Sequence, residues 1–300
     1  MNYSVLEKKV ISIFQRENHF TFNNNFYRLV TVGKPRARKG GECKTDVYVL
    51  GINTLTSESL ELKISCKLHS TNEFQGNKFT PISAENLLGK DWANIVQKTA
   101  LNIKEKFYNT KLIGPNGYGR TKEPFVTLGW KLEVTTKSRN LSSKISLSDK
   151  EIQDYVYKGT NQPDEKKHAY VNGEKIIDSG IAEFLLITEL DQITSTEDII
   201  RQLIPISDYK VPDTYLVFTA NNYRIPVNKT DGNRYLAVRI EWKNINNQLT
   251  PFILFDHPLQ DSSRSNDMKK LVDLSLDNLG KQFPYDFNFV DDISDTRLVY

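Results

Sequence analysis

The order of local patterns along the first half of the chain constrains its fold more than any other feature. Residues 3–17 carry apolar side chains at helical spacing, which predicts an amphipathic helix. Three strands, a long helical pattern and a fourth strand are then predicted, at 26–32, 45–50, 59–65, 83–108 and 125–134. This order of elements predicts the α/β fold class.

The pattern changes after about residue 145. Short helices are predicted at 147–151 and 195–204, and an Asn-Gly hairpin at 170–177. Several strands follow within 213–255, and a closing helix is predicted at 268–279. The chain has 300 residues, enough for one large domain or two modest ones. We therefore expect two parts, 1–144 and 145–300, with the second an α+β region appended to the first.

Composition excludes several classes of protein. No stretch approaches the roughly 18 consecutive apolar residues of a membrane span. The first residues mix acids and bases and have no apolar run before a cleavage site, unlike a secretory signal peptide. Two cysteines, Cys43 and Cys66, are too few for a disulfide framework or a four-thiolate metal site. We expect a cytoplasmic protein with no membrane partner and no bound organic cofactor.

The net charge of +3 hides a strong segregation of charge. Residues 98–144 contain ten basic and three acidic residues, whereas 145–209 contain six basic and thirteen acidic ones. A segregated positive face attracts phosphate backbones, although the same clustering also occurs on solvated surfaces without a ligand. The basic segment 34–44 and the glycine-rich loop 114–120 supply the residues expected to contact DNA: Lys34, Arg36, Arg38, Lys39, Lys44 and Arg120.

One set of residues has the composition of a metal-dependent hydrolase. Asp46 begins a predicted strand, and Glu61 and Lys63 share one face of the next. A turn over 51–57 would place Asp46 beside both. Two carboxylates can hold Mg²⁺, and a neighbouring lysine can orient or deprotonate the attacking water.

Spacing alone does not decide this assignment. An acid two residues before a lysine occurs eight times in the chain. The strongest rival is Glu241 with Lys243, but Asp231 lies in the turn just before that strand, so no partner strand fits between them. The alternative for Glu61 and Lys63 is an ordinary salt bridge on an edge strand.

The run Gly40-Gly41-Glu42-Cys43-Lys44-Thr45-Asp46, followed by Glu61-Leu62-Lys63, resembles the PD-(D/E)xK nuclease superfamily, and within it the type II restriction endonucleases. The resemblance covers residues 1–135 at most, and Lys44-Thr45 stands where the superfamily loosely keeps a proline. It implies a restriction-endonuclease-like core, a mixed sheet flanked by helices.

The resemblance also implies roles for residues. Asp46 and Glu61 would be Mg²⁺ ligands, and Asp46, Glu61 and Lys63 the catalytic set. Some such enzymes add an acid from the first helix, for which Glu7 is a candidate, with a solvent-facing side chain as the alternative. Glu42 is either a further acid near the metal or a counter-charge for the basic loop.

The expected function is a Mg²⁺-dependent endonuclease that hydrolyses phosphodiester bonds in double-stranded DNA at specific sequences. Residues 145–300 would provide specificity or dimerisation, since two-fold proteins suit palindromic sites. The sequence leaves the oligomeric state open. The alternatives are a non-catalytic DNA-binding protein on the same fold, a structure-selective repair or phage nuclease, and an RNA nuclease.

Overall fold

The structure is a computed structural model that describes residues 3–38, 40–69, 75–76, 79–281 and 286–300. It is a mixed α/β chain with one mixed and one antiparallel large sheet, both flanked by helices. The chain divides into two units. The first unit comprises 1–73, 86–89 and 147–212, and the second comprises 74–85, 90–146 and 213–300.

The α-helices within the described residues are α1 (Tyr3–Glu17), α2 (Pro81–Leu88), α3 (Trp92–Asn102), α4 (Lys104–Tyr108), α5 (Asp149–Glu151), α6 (Asp164–Lys167), α7 (Thr196–Arg201) and α8 (Ser265–Asn278). The strands are β1 (His19–Phe22), β2 (Asn25–Gly33), β3 (Val47–Asn53), β4 (Ser59–Leu68), β5 (Gln75–Gly76), β6 (Ile113–Gly114), β7 (Phe125–Thr135), β8 (Ser142–Lys144), β9 (Tyr170–Val171), β10 (Glu174–Lys175), β11 (Phe184–Thr188), β12 (Leu203–Pro205), β13 (Tyr215–Arg224), β14 (Lys229–Thr230), β15 (Val238–Ile245) and β16 (Gln248–Leu254).

The first unit is built on a sheet with strand order β1-β2-β3-β4-β11-β12. Neighbours are antiparallel except β4 and β11, which run parallel with Phe184 opposite Ile64. One face of this sheet is apolar and packs against α1 and α7. The core between the sheet and these helices includes the buried side chains of Leu6, Phe14, Val49, Leu62, Leu186 and Ile199.

The sheet explains where the observed division of the chain differs from the predicted one. The predicted boundary after residue 144 lies close to an observed boundary after residue 146. Residues 147–212 nevertheless complete the first unit, because β11 pairs with β4 and β12 extends the same sheet. A pairing between strands so distant in sequence leaves no local signal.

The second unit contains an antiparallel sheet whose main path is β14-β13-β7-β15-β16. Its core includes the fully buried rings of Trp130 and Trp242. The ring of Phe107 packs edge to face against Trp130, with the ring centroids 4.8 Å apart. The indole N–H of Trp242 donates to the carbonyl of Thr127 at 2.8 Å, so this buried donor is satisfied.

Most predicted elements are present, with altered limits. The helical pattern over 83–108 is three helices, because Gly89 at φ +82° ends α2 and Ile103 separates α3 from α4. Within 213–255, where several strands are predicted, the first strand is β13, which is continuous over Tyr215–Arg224 and carries a bulge at Asn221/Asn222. No helix in the described part of the chain is long and apolar enough to cross a membrane.

The assignment of β11 to the first unit predicts a stability effect. Leu186→Ala leaves a cavity in the core shared with α1, and we expect the free energy of unfolding to fall by about 2–5 kcal/mol. Urea denaturation followed by circular dichroism measures the change. Leu55→Ala is the matched control, since Leu55 is 91% exposed and its truncation should cost less than about 0.5 kcal/mol. Equal stability of the two variants would contradict the placement of β11 in the core.

Candidate functional site

Asp46 lies directly before β3 and is held by the end of β4. Its backbone N–H donates to the carbonyl of Ile64 at 2.9 Å. Its Oδ2 accepts hydrogen bonds from the Cys66 N–H at 2.8 Å and the Ser65 hydroxyl at 3.3 Å. The half-buried carboxylate therefore has a fixed orientation.

A second acid and several lysines surround Asp46. Glu7, on α1, is buried and pairs with Lys34 at 2.5 Å between Oε2 and Nζ. Burial raises the pKa of Asp46, and the negative charge of Glu7 adds to this effect. The charges of Lys67 and Lys34 and the Cys66 hydrogen bond oppose it. The balance is a carboxyl group whose pKa lies above its ordinary value.

Lys44 lies near Asp46, in the loop that precedes β3. Its backbone N–H donates to the Gly180 carbonyl at 3.1 Å. Gly159 has φ +76°, and a side chain there would lie within 2.3 Å of the Lys44 Cγ, so glycine makes room for this lysine. Burial, then the charges of Lys67 and Lys166, lower the Lys44 pKa to about 8, although Asp46 opposes them. We call Glu7, Lys34, Lys44, Asp46 and Lys67 the Asp46 cluster.

The structure does not bring Asp46 and Glu61 together, which corrects the expected arrangement. In the β3–β4 register Leu50 lies opposite Glu61 and Tyr48 opposite Lys63, so Asp46 falls next to Ser65. Ser65 lies four positions after Glu61 along β4, about 13 Å at the usual rise of a strand. One metal ion cannot be held by both carboxylates in this register.

Lys63 is occupied by other partners. Its Nζ lies 2.9 Å from Glu183 Oε1 and 3.7 Å from Glu61 Oε2, and its side chain is only 9% exposed. Tyr48 donates its hydroxyl to Glu61 Oε1 at 2.6 Å; burial and then Glu61 raise the pKa of Tyr48. Glu61 and Lys63 thus form a salt bridge, as in the alternative left open by the sequence, but it lies on a central strand with Lys63 buried and not on an edge strand.

The turn between β3 and β4 sets this register. Asn53 ends β3, and its side-chain oxygen accepts from the N–H groups of Leu55 and Thr56 at 2.8 and 3.1 Å. The Asn53 N–H also donates to the Glu58 carbonyl at 2.8 Å. The strands therefore continue through residues that the sequence assigns to the turn 51–57, and the pairing shifts accordingly.

The basic segment forms one side of a groove that opens beside Glu7 and Lys34. This groove has a volume of about 640 Å³, and Arg36 and Arg38 line it as exposed side chains. Arg36 is anchored by paired backbone hydrogen bonds with Tyr170, both 2.9 Å. Among the other residues predicted to contact DNA, Lys39 lies outside the described residues and Arg120 is exposed in the second unit.

The donor set limits how a metal could bind. The described residues contain no group of three or more His, Cys, Asp or Glu side chains that could hold a metal ion. Cys43 and Cys66 are both buried free thiols. Mg²⁺ commonly binds through one or two carboxylates, waters and substrate phosphates, so Asp46 with Glu7 is a donor set of the right chemistry.

Comparison with known proteins identifies no relative. No protein-family model matches the chain, and neither the curated proteins nor the solved structures include a significant match.

Lys67 acts on the carboxyl group of Asp46, and it is not among the site residues predicted from the sequence. It follows Ser65 at the same spacing as Lys63 follows Glu61, but Ser65 stands where the pattern has an acid two residues before a lysine. Lys67 is half-buried and is the charge that most strongly lowers the pKa of Asp46. The signal that would have found it is the continued strand alternation through Ile52 and Asn53, which moves Asp46 toward Ser65.

The raised pKa of Asp46 predicts a pH-dependent stability effect. An ionised carboxylate whose pKa is higher in the folded than in the unfolded protein destabilises the fold. That destabilisation is absent below the ordinary value of 3.8, grows as the pH rises through the folded pKa, and is complete above it. Asp46→Asn should therefore raise the Tm at about pH 7, and the gain should vanish at about pH 3.

Asp164→Asn is the matched control for this experiment. Asp164 belongs to the same unit, and its hydrogen bond and ion pair with Lys167 lower its pKa. Its substitution should not raise the Tm at about pH 7. Differential scanning fluorimetry across this pH range provides the measurement, and a lower Tm for Asp46→Asn at about pH 7 would contradict the electrostatic account.

Proposed function

We propose that this chain is a Mg²⁺-dependent endonuclease of double-stranded DNA whose chemistry takes place at the Asp46 cluster, with Lys67 rather than Lys63 as the catalytic lysine. The observation that carries the proposal is the anchored Asp46 carboxylate with Glu7 and lysines around it. The resemblance to the PD-(D/E)xK superfamily around Asp46 supports the same reaction class.

The two acids favour catalysis over simple binding. A site that only binds the phosphate backbone gains from lysines and arginines, whereas carboxylates repel phosphate. The pKa of Asp46 lies above its ordinary value, so the ionised carboxylate lowers the stability of the fold. Both features are explained if a divalent cation joins the site, with Asp46 and Glu7 as its protein ligands. Bound Mg²⁺ supplies charge stabilisation at the scissile phosphate and lowers the pKa of coordinated water.

The protein residues have distinct tasks in this proposal. The Cys66 N–H and Ser65 hydroxyl orient Asp46, and Lys34 orients Glu7. Lys67, on the face of β4 that carries Ser65, orients the attacking water or accepts its proton and offsets charge on the phosphate. Arg36 and Arg38 hold neighbouring phosphates along the groove, which positions the strand without reading its sequence.

A matched pair of lysine variants tests the assignment. Lys63→Met and Lys67→Met make the same change, four residues apart on one strand and on one face. Plasmid and phage DNA are incubated with each variant and Mg²⁺, beside Asp46→Asn and an EDTA control. We expect Lys67→Met and Asp46→Asn to lose about 100- to 1,000-fold in cleavage rate. Lys63→Met should retain most of the wild-type activity per folded molecule. Its Tm shows whether it is folded at the assay temperature.

The outcomes separate the alternatives. Discrete fragments indicate a sequence-specific enzyme, and a smear indicates a nonspecific or structure-selective nuclease. A loss of cleavage confined to Lys63→Met would return the catalytic role to Lys63. A folded wild-type protein that binds DNA and cleaves neither modified nor unmodified DNA would be a non-catalytic DNA-binding protein, and the proposal would fail.

Lys44 predicts a pH dependence of DNA affinity that needs no catalysis. Because its pKa is about 8, Lys44 is mostly charged at about pH 7 and mostly neutral at about pH 9. We expect affinity for duplex DNA in EDTA to fall across this interval, since the Asp46 cluster loses one positive charge. Lys44→Met should bind more weakly at about pH 7 and show a flatter profile. Equal profiles for both proteins in fluorescence anisotropy would contradict this role.

A further inference from the structure

A polar cleft in the second unit is not used by the proposed chemistry. The glycine-rich segment beside it is a tight hairpin in which Tyr118 and Thr121 exchange backbone hydrogen bonds of 2.8 and 3.1 Å. Gly117 has φ +74°, and a Cβ there would lie 2.5 Å from the Lys122 carbonyl oxygen, so the approach requires glycine. The hairpin holds Tyr118 at the edge of the cleft and Arg120 at its exposed tip.

Tyr118 belongs to an aromatic pair. Its ring stacks on Tyr300 with centroids 3.9 Å apart and an interplanar angle of 21°. Tyr300 is fixed by its N–H, which donates to the Ile113 carbonyl at 3.0 Å, and Lys111 Nζ lies 5.8 Å from its ring centroid. Tyr118 remains 61% exposed although Tyr300 covers one side. A rigid aromatic surface is therefore accessible to a planar ligand.

The floor of the cleft carries hydrogen-bonding groups. Thr127 donates its hydroxyl to Asn222 Oδ1 at 3.1 Å, and Asn222 Nδ2 lies 3.4 Å from the Thr121 hydroxyl. A β-bulge at Asn221/Asn222 interrupts the pairing of β13 with β7 at this point, and bulges re-aim side chains at functional sites. The cleft has a volume of about 500 Å³.

The charges lining the cleft are mainly positive. Arg224 is balanced by Glu123 at 3.6 Å and Asp231 at 3.5 Å. Lys131 and Arg120 also line the cleft, and neither forms an ion pair with any residue that the structure describes. These two cations leave the cleft able to attract an anion.

Together these groups define a chemical class of ligand. A bare phosphate does not use the tyrosine pair, and a neutral sugar does not use the cations. A nucleotide uses all three features, because its base stacks on an aromatic ring, its edge hydrogen-bonds to amides and hydroxyls, and its phosphates meet lysine and arginine. The base must be unpaired, since a base inside a duplex has no free face for stacking.

We propose that this cleft binds an unpaired nucleobase of a DNA strand, with Tyr118 stacking on the base and Arg120 and Lys131 contacting the adjacent phosphates. The choice of DNA as the nucleic acid rests on the proposed function; the nucleotide class rests on the cleft itself.

The test uses the full chain in EDTA, which prevents Mg²⁺-dependent cleavage. The probe is a single-stranded thymidine oligonucleotide with one 2-aminopurine, compared with its duplex. Tyr118→Ala should weaken single-strand affinity about 5- to 150-fold and abolish the quenching of 2-aminopurine by stacking. Tyr118→Phe should keep both properties. Tyr108→Ala removes another exposed tyrosine of the same unit, outside the cleft, and should change neither.

Arg120→Ala adds an independent readout. It should weaken binding and reduce the slope of log affinity against log salt by about 0.7, the change for one phosphate contact on a single strand. Unchanged affinity and quenching in Tyr118→Ala, or an equal loss of affinity for the duplex and the single strand in that variant, would overturn the inference. Asp46→Asn should retain full quenching. Quenching that depends on Tyr118, without cleavage by the wild-type protein, would support the cleft proposal and contradict the nuclease proposal. Cleavage by the wild-type protein, with quenching that does not depend on Tyr118, would support the nuclease proposal and contradict the cleft proposal.

Discussion

The register of the β3–β4 hairpin determines where every polar group of the first unit lies. Side chains alternate between the two faces of a strand, so a slip of one residue would send Val49 and Leu62 out of the core. Burial of that apolar face and the Asn53 turn therefore fix one pairing. The other face then carries Glu61, Lys63, Ser65 and Lys67 in a row, with Asp46 against the Ser65 end.

The two lysines in that row lie in different environments, and the proposed function gives them different roles. A lysine that is almost fully buried must be paired, and Glu183 with Glu61 meets that requirement for Lys63. Lys67 is half-buried and forms no ion pair within the described residues, while its charge acts on Asp46. Because the charge of Lys63 is already paired with two carboxylates, it is not available to a substrate. Lys67, whose charge acts on a carboxyl group with a raised pKa, is the lysine that the proposed function assigns to the phosphate.

Local patterns predicted much of this architecture. The helix over 3–17, the three following strands and the Asn172-Gly173 hairpin are present, because each depends on periodicity or turn chemistry within a short segment. The parallel pairing of β11 with β4 joins residues more than a hundred positions apart, and no local pattern specifies it. The sequence context predicts Asp46 as a site residue, but its neighbours depend on the hairpin register. An uncertainty of three residues at the turn decides whether Asp46 lies beside Lys63, as predicted, or beside Ser65, as observed.

The two polar surfaces differ in the kind of recognition that their side chains allow. The groove beside the Asp46 cluster is lined by arginine, lysine and acids with no aromatic side chain among its described residues, so it can hold phosphates but has no ring on which to stack a base. Binding there should weaken steeply as salt rises. The cleft of the second unit adds a tyrosine pair and an amide to its cations, and stacking responds weakly to salt. High salt should therefore reduce the contribution of the groove first, leaving the selectivity of the remaining binding to the unit that carries Tyr118.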